Sequence, residues 1–140
     1  MTAPTPSPNL GPFRTCGMCH KQWPTRQDFL ADPGLRLLGL QAVPHHPDGN
    51  LLVFEHDCGT TVSVLAWRLR DLAPAGAPGE ASLPLLYGTE GCNGFCNRLE
   101  ELSACDRACS NARDRRLTLW IAEQASKRAR ARDSSRGSGG

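Results

Sequence analysis

The sequence is short of the residues that build a large interior. Aromatic side chains make up 6% of its 140 residues, so a core must rest on Leu, Val and Ala. No apolar stretch reaches the roughly 18 residues that a membrane-spanning helix needs. The N-terminal stretch lacks the basic and apolar regions of a secretory signal, which points to the cytoplasm. No Ser-His-Asp set, paired carboxylates, P-loop or dinucleotide fingerprint is present, so nothing in the chain indicates an enzyme. Net charge is only +2, too small to demand an anionic partner.

What the chain does have is cysteine, seven in all. Composition divides the sequence around them. Residues 1–12 are rich in Pro and Thr and read as a disordered tail. Residues 13–72 form a first block, 73–82 an Ala/Pro/Gly linker, 83–131 a second block and 132–140 a polar disordered tail. Blocks this short bury little surface and are marginal unless something staples them. In a cytosolic chain, paired cysteines are more often metal ligands than disulfides. The odd count suits one site of three Cys plus a His and another of four Cys.

Local patterns suggest an α+β fold: a knuckle, a β-hairpin and a helix, followed by a Cys-rich helical segment. Cys16-Gly-Met-Cys19 is a tight C-x2-C turn. Thr25 with Asp28 reads as a capping-box variant that opens a short helix, which Pro33 and Gly34 end. Leu35–Val43 and Leu51–His56 read as paired strands, the first weakened by Gly39, around a turn over Pro44–Asn50. His45 and His46 fall in that turn and read as solvated. Val62, Leu65, Ala66, Leu69 and Leu72 then fall at helical spacing, with Thr60 or Thr61 as N-cap. In the second block, Leu83–Tyr87 suggests a short strand. A long helix from near Asp106 to about Arg130 follows, with Leu117, Trp120, Ile121 and Ala125 on one face and its basic end frayed into solvent. Trp23, Trp67 and Trp120 read as packing anchors.

The first predicted metal site is Cys16, Cys19, His56 and Cys58, with His20 as the rival fourth ligand. Zinc takes four S or N ligands in a tetrahedron, and a C-x2-C turn presents two thiolates to one side of it. The second is Cys92, Cys96, Cys105 and Cys109, spaced C-x3-C-x8-C-x3-C. Residues four apart on a helix are neighbours, so a helical C-x3-C could chelate; Cys92-Asn-Gly-Phe-Cys96 could equally be a turn. Two Zn2+ ions per chain follow. An iron–sulfur cluster at the four-Cys group, or two disulfides there, are the alternatives. Cys16-Gly-Met-Cys19-His20 also spells a haem-attachment signature, but haem attachment happens outside the cytosol. A thioredoxin-like site would need a helix directly after the first Cys, which Trp23-Pro24 obstructs.

The order of knuckle, hairpin and second ligand pair over residues 14–72 resembles the zinc-ribbon or treble-clef plan. A longer run also resembles a group of small bacterial cysteine-rich proteins with no assigned activity. It comprises Cys16-x2-Cys19, Trp23, Phe29-Leu30-x-Asp32-Pro33, Gly39-x-Gln41, His56-x-Cys58-x-Thr60-Thr61 and the two C-x3-C pairs. That resemblance implies that His56 and Cys58 act together and says nothing of function. The leading expectation is a non-catalytic zinc module that binds protein or nucleic acid, with no membrane role. A redox or electron-transfer protein is the alternative, and a catalytic zinc that His56 leaves open is a third reading. Nucleic acid would meet the segment 113–136, where eight basic side chains face three acidic ones. Arg113, Arg116, Lys127, Arg128 and Arg130 are the contact residues such binding would use.

Overall fold

The computed structural model describes residues 11–43, 46–76 and 78–138. Pro44 and His45 of the expected turn, and most of the expected N-terminal tail, lie outside these. The architecture is mixed α+β: two small antiparallel sheets and a long C-terminal helix. β1 (Arg14–Thr15) and β2 (Gln22–Trp23) pair as a hairpin whose turn carries the C-x2-C sequence. α1 (Arg26–Ala31) follows. Its Thr25 cap accepts from the Asp28 amide while the Asp28 carboxylate accepts from the Thr25 amide, the reciprocal box expected from the sequence.

The second sheet contains β3 (Leu35–Gln41), β4 (Leu51–His56) and β5 (Thr61–Leu65), with β4 central. The expected helix over 61–72 is therefore not formed. Thr61–Leu65 alternates, burying Val62 and Val64, and its β-branched residues fit a pleated strand better than a helix. The apparent helical spacing arises downstream, where two 3-10 turns, Ala66–Arg68 and Arg70–Leu72, follow. A 3-10 turn places i and i+3 on one side, and Ala66 and Leu69 are both buried there. Trp67 points the other way and is 51% exposed, so it is not the packing anchor the sequence suggested.

Leu83–Tyr87 forms no strand; Pro84 has no amide to donate to a ladder. The long helix α2 spans Asn111–Ser138 rather than starting near Asp106. Just before it, the Cys109 amide closes a tight turn on the Arg107 carbonyl and the Ser110 amide bonds the Pro84 carbonyl. These amides are thus committed outside a helix, and Cys105–Cys109 is not helical.

The core gathers between α1, the second sheet and α2. Trp23, Phe29 and Phe54 stack edge to face, with centroids 5.1 and 4.9 Å apart. Leu40, Leu52, Val62, Leu69, Leu117 and Ile121 surround them, and Trp120 packs at the edge. A buried polar seam pins α2 to the sheet: Asn50 Nδ2 donates to Asn111 Oδ1 and to Asp114 Oδ2, both at 2.8 Å. The Arg70 guanidinium meets both carboxylate oxygens of Asp114 at 2.7 and 2.8 Å.

Candidate metal centre

Two hairpin turns face each other. In the first, between β1 and β2, the Cys16 amide donates to the Lys21 carbonyl and the His20 amide to the Cys16 carbonyl. His20 occupies the left-handed region at φ 66°. In the second, between β4 and β5, the His56 amide donates to the Thr60 carbonyl and Gly59 turns the chain at φ +100°. Cys58 sits in this turn and His56 ends β4.

The turns bring Cys16, Cys19, His56 and Cys58 together with their ligand atoms all within 4.8 Å of one another. Cys16 Sγ lies 3.6 Å from Cys58 Sγ. His56 Nδ1 lies 3.2 Å from Cys58 Sγ and 3.6 Å from Cys19 Sγ. A Zn–S bond near 2.3 Å puts two sulfurs of one tetrahedron roughly 3.7 Å apart, so the spacing fits a metal ion. Cys16 and His56 are buried, while Cys19 and Cys58 are exposed. His20 lies outside the group; it shapes the turn instead.

Electrostatics favour a cation here. The Cys19 amide, set against burial but joined by the Met18 amide, His56 and Cys58, lowers the Cys16 thiol to about 6. Cys58 moves the opposite way: burial raises it, the Thr60 amide lowers it in part, and the neighbouring Cys16 and Cys19 raise it further. One thiolate forms readily, and the next is opposed by the first. A divalent ion removes that opposition.

Support around the site was less visible in the sequence. His56 Nε2 lies 3.2 Å from Asp57 Oδ1, which leaves Nδ1 for the ion, and Trp23 packs edge-on against the imidazole at 5.2 Å. Asp32 ties the first turn to the second sheet, accepting from Lys21 Nζ and Trp23 Nε1 at 2.7 Å each and from the Gly34 amide at 2.8 Å. Burial opposes its charge, but these bonds hold its carboxyl below the ordinary range.

The second cysteine group is arranged differently. All four thiols are free, and among the described residues Cys92, Cys96, Cys105 and Cys109 are not drawn to within 4.8 Å as a set. Cys92 precedes a left-handed Gly94 and the 3-10 turn Phe95–Asn97, the turn that Asn-Gly suggested. The basic residues of α2 are partly spoken for. Arg116 pairs with Glu80, and Arg128 Nη1 donates to the Leu30 carbonyl at 2.9 Å. Lys127 and Arg130 line a shallow groove with Leu119 and Glu123, and Arg113 borders a cleft with Arg70 and Arg116.

Among the described residues no helix is long and apolar enough to cross a membrane. Comparison with protein-family models, curated proteins and solved structures returned no match.

Proposed function

We propose that Cys16, Cys19, His56 and Cys58 hold a structural Zn2+ and that the protein is a non-catalytic binding or regulatory module. The observation that carries this is the convergence of four protein ligand atoms on one point. A catalytic zinc keeps a position open for water or substrate, whereas a closed set of four holds a fold together. Three thiolates and one imidazole suit zinc, which binds S and N ligands tetrahedrally. Two ligand-bearing hairpin turns, with a strand rather than a helix after the second, favour the zinc-ribbon plan over the treble clef. The partner is a protein or a nucleic acid; binding to nucleic acid would weaken steeply with salt and would use Arg113, Lys127 and Arg130.

The test is elemental mass spectrometry on tag-free protein and on Cys58→Ser, with the visible spectrum of each. Zinc in the parent, no colour, and one ion fewer in the variant are the expected results. An unchanged zinc content in Cys58→Ser would sink the assignment. Iron with visible absorption would replace it with the electron-transfer reading.

A further inference from the structure

Arg115 is 2% exposed. Its Nε donates to the Ser103 carbonyl at 3.0 Å and its Nη2 to the Glu101 carbonyl at 2.6 Å. Nη1 is buried with no partner. Among the described residues no carboxylate lies within ion-pair distance of it; the Phe95 ring lies 5.4 Å away, the Cys96 side chain faces it, and the Glu101 carboxylate acts on it at longer range. A guanidinium taken out of water with no anion in direct contact is costly. A negative sulfur in direct contact would offset that cost, and Cys96 is the side chain placed to supply it.

Four sulfurs of this region each have an N–H directed at them. The Leu86 amide donates to Cys109 Sγ at 3.1 Å and the Gly94 amide to Cys92 Sγ at 3.4 Å. Asn93 Nδ2 donates to Cys105 Sγ at 3.5 Å and Asn111 Nδ2 to Cys96 Sγ at 3.6 Å. A neutral thiol is a weak acceptor. Four donors spent on four thiols make sense when the sulfurs are thiolates, and such donors are the usual outer shell of a metal–thiolate centre.

We propose that Cys92, Cys96, Cys105 and Cys109 form a second zinc centre, with Arg115 as its buried counter-ion. Cys96 and Cys109 are buried and form the fixed half. Cys92 and Cys105 are only half-buried, and the Asn93 amide joins their two loops; they close onto the ion. As it binds, four thiols release four protons to solvent, leaving one Zn2+ and four thiolates with a net charge of −2. Arg115 offsets half of that charge. No electron is transferred. Asn111 then carries the centre into the fold, since it donates to Cys96 and accepts from Asn50. This inference stands apart from the first site.

The test is zinc content of the full chain and of Cys105→Ser, Cys92→Ser and Cys58→Ser, with the folding of each checked by circular dichroism. Two ions in the parent and one in each variant are expected. In the cobalt-substituted parent, the charge-transfer bands should match seven thiolate ligands on two tetrahedral ions, a reading that needs no variant. Arg115→Met should weaken retention of one ion by about tenfold or more against a chelator, with Arg115→Lys recovering part of the loss. A parent with one ion whose retention is lost in Cys58→Ser and unchanged in Cys105→Ser would overturn the second centre while leaving the first. So would a native mass lower by four hydrogens, which would mean two disulfides. Acid-labile sulfide with iron would overturn it in favour of a cluster.

Discussion

His56 presents Nδ1 to the three sulfurs because Asp57 occupies the other ring nitrogen. A carboxylate in this position fixes the tautomer and raises the basicity of the ligand. Asp57→Ala should therefore weaken zinc binding by about 10- to 100-fold, read by competition with a chromophoric chelator. Asp57→Asn, which keeps an acceptor oxygen, should lose less. The clustering of these four residues was legible in the sequence. C-x2-C spacing marked Cys16 and Cys19, and His56 with Cys58 at a strand end supplied the rest. The choice of His56 over His20 is explained by backbone: His20 is bent into a left-handed turn, while His56 continues the central strand into the site. Asp57 and Asp32 were not legible, because a carboxylate's role as a positioning group depends on what faces it in space.

At the scale of elements, Gly39 reads as a weak point in a strand, and the structure gives the reason for it. A β-carbon there would lie 1.6 Å from the Leu99 carbonyl oxygen. The loop before α2 thus presses its backbone directly onto β3, next to the register shift between Leu37 and Gly39. Gly39→Ala should destabilise the fold by about 1–3 kcal/mol, or more if the loop cannot yield, measured by urea unfolding. An unchanged midpoint would mean that this approach is not maintained in solution. The capping box of α1 was legible because it is written in two side chains three residues apart. The fate of 61–72 was not, because Val62, Ala66 and Leu69 satisfy a helical spacing and also a strand followed by 3-10 turns. Only the free edge of β4, an object outside the segment, decides between them.

Across the whole molecule, the polar seam of Asn50, Asn111, Asp114 and Arg70 ties α2 to the sheet, and the Cys16, Cys19, His56 and Cys58 set would add a second tie once a metal is bound. Structural zinc contributes an apparent ~10–16 kcal/mol in finger peptides, against roughly 5–15 kcal/mol of net stability for ordinary domains. Removing the ion with a strong chelator should therefore lower the melting temperature sharply. It should also change the near-ultraviolet dichroism of Trp23, which packs against His56. Retention of the native melting curve in metal-free protein would show that the apolar core suffices. Composition shows the basic bias of the last third. It could not announce that Arg116 and Arg128 are engaged within the chain, since Glu80 and the Leu30 carbonyl are distant in sequence.

The burial of the ligands is uneven: Cys16 and His56 face inward, and Cys19 and Cys58 face solvent. Traffic of a bound ion would then be a surface event. An incoming chelator or oxidant would meet Cys19 and Cys58 first and could take their sulfurs from the ion one at a time, while the inner pair still held it. Exchange of the ion with the surrounding pool would then require movement of the two hairpin turns and no opening of the core.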